Sequence, residues 1–87
     1  MATVFIPSLM QELSKGEQRV LVPGNNVRQI IENLDCFYPG FKERLVDDGR
    51  IKPNISVAID GEITPLGMIE KVREDSEVHF LPAISGG

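Results

Sequence analysis

The residues with the sharpest chemical potential stand at the end of the sequence, Gly86-Gly87. With glycine at about 7% of residues, a terminal pair arises by chance in roughly 0.5% of chains. Lacking a Cβ, glycine reaches backbone conformations closed to other residues. A Gly-Gly end can therefore thread a narrow channel and present its α-carboxylate to another protein's active site. Pro82 stops the strand before it, so residues 83–87 are free to leave the sheet. Five extended residues reach about 17 Å. The bland alternative is a frayed chain end.

Inside the chain the candidates are weaker. A nucleophile needs an oriented base beside it, and Cys36 and His79 lie far apart with no local motif joining them. Free cysteine is among the most buried residue types, so Cys36, at the end of a helix, is expected to be core filler. His79 is expected to be a partly exposed strand residue. One cysteine and one histidine exclude an internal disulfide and a multi-histidine or cysteine metal cluster. Asp35, Asp47, Asp48, Asp60, Glu74, Asp75 and Glu77 show no diagnostic pairing and read as a solvated face. Asp47-Asp48-Gly49 lacks the ligands that would follow in a calcium loop. Lys15-Gly16, Gly61 and Gly67 make no phosphate-binding loop. No catalytic residue and no metal site is expected.

The elements that position the tail are legible in the periodicity. Thr3–Ile6, stopped by Pro7, and Arg19–Val22, stopped by Pro23-Gly24, read as strands joined by a loose connection with a turn at Ser14-Lys15-Gly16. Val27, Ile30, Ile31 and Leu34 form one helical stripe. Asn26 is its N-cap candidate with Gln29 at capping-box spacing, and Tyr38-Pro39-Gly40 ends it. Phe41, Leu45 and Val46 suggest a second helical turn running to Asp48-Gly49. Ile55–Ile59 is a strand and Asp60-Gly61 a tight turn. Glu62–Thr64 is at best a short strand. Leu66, Met68, Ile69 and Val72 are filler around another turn, and Glu77–Leu81 is the last strand.

One amphipathic helix with four or five short strands argues for a single α+β sheet covered on one face. If Val4, Ile6, Val57, Ile59, Val78 and Phe80 face the helix, alternation sends Phe5, Ala58, His79 and Leu81 to the other face. An exposed sheet carrying Phe5 and Leu81 is a candidate docking surface, unless loops cover it.

Composition bounds the rest. The chain has 87 residues, a mass of 9.6 kDa, 41% hydrophobic and 25% charged residues. That supports one core. Thirteen acids against nine bases give a net charge of −4, which opposes a nucleic-acid surface and suits basic protein partners or plain solubility. No apolar run approaches a membrane span. Met1–Phe5 does not resemble a secretory signal. The expectation is a reducing, cytoplasmic setting.

The strand Glu77–Leu81 followed by Pro82-Ala83-Ile84-Ser85-Gly86-Gly87 resembles the ending of the ThiS/MoaD family of ubiquitin-like sulfur carriers. Tyr38-Pro39-Gly40 with Glu43-Arg44-Leu45, and Asp60-Gly61-Glu62, resemble its cysteine-synthase and molybdopterin-type members. The resemblance implies a β-grasp fold, a mixed four- to five-stranded sheet on one main helix. The expected division is a β-grasp body over 1–82 and a Gly-Gly tail over 83–87. It also implies that an E1-like enzyme uses ATP to adenylate the Gly87 carboxylate. A sulfur donor then displaces AMP to leave a thiocarboxylate, and a sulfur-accepting synthase takes the sulfur. On this reading the chain binds no cofactor itself and is no enzyme. Gly87 is the attachment site, and Ser85 and Gly86 thread the partner's active site. Phe5, Leu81 and Ile84 dock the partner, with Lys42 and Arg44 as lesser contact candidates. Met10-Gln11-Glu12-Leu13 lacks the arginine usual in molybdopterin-type carriers, and only one proline precedes the tail. Both departures weaken the molybdopterin assignment, and the pathway stays open between cysteine-type, molybdopterin and thiamine routes, leaning towards the cysteine type. Two other readings remain open: a ubiquitin-like modifier joined to lysines, and a plain interaction domain.

Overall fold

In the computed structural model, which describes residues 1–82, the chain's first and last strands lie side by side. β1 (Ala2–Phe5) pairs in parallel with β7 (Glu77–Pro82), with Thr3 opposite Glu77 and Phe5 opposite His79. β2 (Arg19–Val22) joins β1 antiparallel, from Ala2 opposite Val22 to Phe5 opposite Arg19. On the other side, β5 (Ile55–Ile59) pairs antiparallel with β7, and β6 (Glu62–Thr64) with β5. The five-stranded mixed sheet therefore runs β2-β1-β7-β5-β6. A parallel pair needs a crossover, and most of the chain serves as one.

α1 (Val27–Phe37) is the centre of that crossover. Its stripe, Val27, Ile30, Ile31 and Leu34, is fully buried against the sheet face carrying Val4, Val57, Val78 and Phe80. Asn26 Oδ1 accepts the Gln29 N–H at 2.8 Å, the N-cap expected from the sequence. The reciprocal bond slips by one residue: Gln29 Oε1 accepts from the N–H of Asn25, at 2.8 Å.

The stretch after α1 departs from expectation. α2 (Phe41–Leu45) ends at Leu45, and Val46 is extended, with φ −124° and ψ 138°. Val46–Asp47 and Arg50–Ile51 form a two-stranded hairpin, β3 and β4. Its turn, Asp48-Gly49, has φ of 53° and 76°, the doubly positive pattern of a tight hairpin turn. Asp60-Gly61 turns the β5–β6 hairpin in the same way, with φ of 52° and 88°. The same dipeptide signals both hairpins, but two-residue strands are too short to show alternation.

Asp35 joins the two helices, because its Oδ1 accepts the N–H groups of Gly40 and Lys42, each at 3.0 Å. A carboxylate there satisfies donors that a helix start leaves open. Gly40 has φ 114°, and a Cβ on it would stand 3.0 Å from Leu13 Cδ2. Glu12 reaches Arg44 at 3.5 Å and Glu32 reaches Lys42 at 3.2 Å, both on the surface. The β1–β2 connection is thus fastened to the turn and helix that follow α1. Lys42 and Arg44, the lesser contact candidates, are exposed as expected and occupied in these ion pairs.

Candidate functional site

Period-2 alternation places every second residue of the sheet on the face away from α1. Register then aligns Arg19, Phe5, His79, Ala58 and Ile63 in one row across the five strands. Phe5 and His79 stack face to face, with ring centroids 4.1 Å apart and planes inclined by 6°. Both residues are half-buried. Leu81 lies beside them on β7, opposite Ser56, and is 42% exposed. Leu21 and Ile63 extend the apolar surface towards the two edges. Among the described residues Leu21, Ile63 and Leu81 are left exposed on this face, so Phe5, His79 and Leu81 stand where alternation put them. Ala58 shares the face but is buried, because a single methyl sits lower than the larger side chains flanking it.

The sheet holds β7 firmly at its start. Asp60 Oδ1 accepts the Glu77 N–H at 2.9 Å, and Asp60 Oδ2 accepts from Ser76 Oγ at 3.2 Å. Ser76 Oγ in turn accepts the Arg73 N–H at 2.9 Å, and Ser76 is buried. Sequence reading placed Asp60 among the solvated carboxylates, apart from its turn. The structure makes it the anchor of the strand that leads to the tail. The only local signal was the Asp-Gly turn itself, since its partners lie 16 and 17 residues away.

Cys36 is exposed, not core filler. It stands two residues after Leu34 on α1, about 200° round a helix from that buried position, and so outside the stripe. His79 is on the opposite side of the sheet from α1, so the two cannot form a catalytic pair. Among the described residues no cluster of His, Cys, Asp or Glu is arranged to hold a metal ion. No helix of the described residues is long and apolar enough to cross a membrane. The Glu74 carboxyl is held below its ordinary value by a hydrogen bond from, and the charge of, the Met1 ammonium 2.6 Å away. That pair is exposed and remote from the stack. Ile84, Ser85, Gly86 and Gly87 lie outside the described residues.

Comparison with known proteins places this geometry. Sulfur carrier protein CysO of Mycobacterium tuberculosis is 27% identical over 90 residues, covering 98% of this chain and 97% of the relative. Small archaeal modifier protein 3 of Haloferax volcanii is 32% identical over 63 residues, covering 70% of this chain and 68% of the relative. A chain in the crystal structure of the Amycolatopsis orientalis BexX/CysO complex superposes with a TM-score of 0.95 at 29% identity, each chain covered in full. The fold is therefore the ubiquitin-like β-grasp. The sequence profile of the ThiS family matches residues 4–87, from the first strand to the final glycine, and the chain belongs to the ThiS family.

Proposed function

We propose that this protein is a sulfur carrier whose reacting group is the α-carboxylate of Gly87. The observation that carries the reading is the family match, which runs unbroken through Gly86-Gly87. An E1-like enzyme joins that carboxylate to AMP from ATP, releasing pyrophosphate and converting a poor leaving group into a good one. A sulfur nucleophile from a donor displaces AMP and leaves a thiocarboxylate. A second enzyme accepts the sulfur. The chain performs no catalysis and holds no cofactor of its own, ATP being consumed by the activating enzyme. The likeness to CysO supports a cysteine-type route.

In this proposal the body serves the tail by geometry. β7 is central in the sheet and its last residue, Pro82, pairs with Ile55, so the root of the tail is held by the sheet. The activating enzyme docks on Phe5, His79 and Leu81, with Ile84 continuing the contact. Ser85 and Gly86 then reach into its active site, within about 17 Å of the root. The likeness to an archaeal modifier protein favours a second reading, conjugation of the same carboxylate to lysines.

Mass spectrometry of protein made in its own host tests both readings. Trypsin cleaves after Arg73, and the fragment Glu74–Gly87 contains neither methionine nor cysteine. A gain of about 16 Da on this fragment is therefore sulfur for oxygen and not oxidation of a sulfur side chain. Recovery of the fragment on a lysine branch selects the modifier. A fragment left unmodified with ATP and the host's E1-like enzyme refutes both and leaves a plain interaction domain.

A further inference from the structure

A second concave surface lies at the β5–β6 edge of the sheet, and neither Phe5 nor His79 lines it. It is a groove of about 490 Å³ between the β5–β6 hairpin, β4 and the turn Gly67–Ile69. Val57, buried in the core, and Thr64, its cross-strand partner, line it from the helix side, and Ser56, opposite Leu81, brings its rim to the edge of the open face. Ile51 and Met68 pack partly against the core, while Leu66 and Ile69 are 52% and 74% exposed. Arg50 and Lys52 also line the groove.

The charge of this surface runs against that of the molecule. The chain carries thirteen acids and nine bases, yet among the described residues no acidic side chain lines the groove. Among the described residues neither Arg50 nor Lys52 has an ion-pair partner. The hollow on the other side of β6 differs, mixing Asp60, Glu62 and Glu70 with Lys71 and Arg73. Exposed leucine and isoleucine beside Lys52 and Arg50, the latter facing Asp47 across the β3–β4 hairpin, fit one kind of occupant, an apolar segment bearing carboxylates. Two cations on a chain of net charge −4 do not make a phosphate track.

We infer that this groove docks an acidic, apolar segment of a second partner protein. Neither Phe5 nor His79 lines it, and its rim meets the open face at Ser56, opposite Leu81. Ile55 lines the groove and pairs with Pro82, the last residue of β7. A protein seated there stands at the root of the tail, beside the edge of the open face. The inference goes beyond the carrier reading and uses none of the tail's chemistry.

The test titrates the isotopically labelled full chain with a short synthetic peptide of leucine and glutamate, followed by amide NMR. A leucine–lysine peptide is the control. The expected shifts fall on Arg50–Lys52 and Leu66–Ile69, weaken with salt, and are absent with the control. Arg50→Glu with Lys52→Glu replaces attraction by repulsion and weakens binding about tenfold. Leu66→Ser with Ile69→Ser removes the apolar wall and gives a second, independent loss should the charge variant fold poorly. Equal binding of both peptides, or shifts centred on Phe5 and Leu81, overturns the inference. So does self-association through the groove in sedimentation, which would assign it to a second copy of this chain. Adenylation is not read at any step, so failure of the carrier reading leaves this outcome intact.

Discussion

Phe80 and Leu81 are neighbours on β7 that face opposite sides of the sheet, and changing each should break a different property. Phe80 is 3% exposed and packs in the core, so Phe80→Ala removes a buried ring and is expected to cost about 3–5 kcal/mol. A small domain is stable by only about 5–15 kcal/mol, so this variant is expected to be badly destabilised. Leu81 is 42% exposed. Full burial of leucine is worth about 1.5–3 kcal/mol, and the portion buried here sets the cost of Leu81→Asp at about 1–1.5 kcal/mol. At about 4–8 °C per kcal/mol, Tm falls by roughly 5–10 °C. Docking should suffer more than folding. Truncating a central interface anchor costs about 2 kcal/mol or more, which is roughly thirtyfold in affinity, and a carboxylate in an apolar contact adds to that. The chain has no tryptophan, so unfolding in urea is followed by circular dichroism. Docking is read as the concentration of carrier needed for ATP–pyrophosphate exchange by the host's E1-like enzyme. Leu81→Asp should stay folded at 25 °C and require at least about thirtyfold more carrier. Were Leu81→Asp to unfold as Phe80→Ala does, the facing of β7 would be wrong. Unchanged exchange with Leu81→Asp would remove the open face as the docking surface.

Three further outcomes are expected. Deleting Gly86 and Gly87 should abolish adenylation while leaving Tm within about 1–2 °C of the intact chain, since chain ends contribute little to stability. Asp60→Ala takes away acceptors from the Glu77 N–H and the Ser76 hydroxyl and should cost about 1–3 kcal/mol, with faster amide exchange at Glu77 as its local signature. Glu74 has a lowered folded pKa, so its contribution is present above the unfolded value and is lost as pH falls through the folded one. Because the pair is fully exposed, Glu74→Gln should flatten acid unfolding slightly at low ionic strength and change nothing in high salt. A salt-independent effect would show that the ion pair is not the cause.

Much of this molecule could be read from its residues, for identifiable reasons. α1 and the long strands show themselves because each buries one face completely, which forces a period on the sequence. Val27, Ile30, Ile31 and Leu34 carry the helical period, and Val78 and Phe80 the strand period. The β3–β4 hairpin was missed because two residues per strand carry no period. Cys36 was misread because residue type outweighed position, and its place on the helix was decided by the stripe beside it. Asp60 was underrated because its partners are remote in sequence and meet it only once the sheet has formed. The apolar face with Phe5 and Leu81 was legible from alternation. The stacking of Phe5 on His79 was not, since it depends on the parallel register of strands from opposite ends of the chain.

That register also sets when the protein can be recognised. The contacts that build the open face join β1 to β7, so they span nearly the whole sequence. Folds dominated by such distant pairings close late and comparatively slowly. During synthesis β1 and α1 must wait without a central strand until β7 arrives, because both β1 and β5 pair with it. The Phe5–His79 stack is then a mark of completed folding, and a chain interrupted before β7 has no such surface to offer an activating enzyme. On the function proposed above, a partner that grips this face would read out maturity along with identity, and would commit ATP only to chains whose sheet has closed.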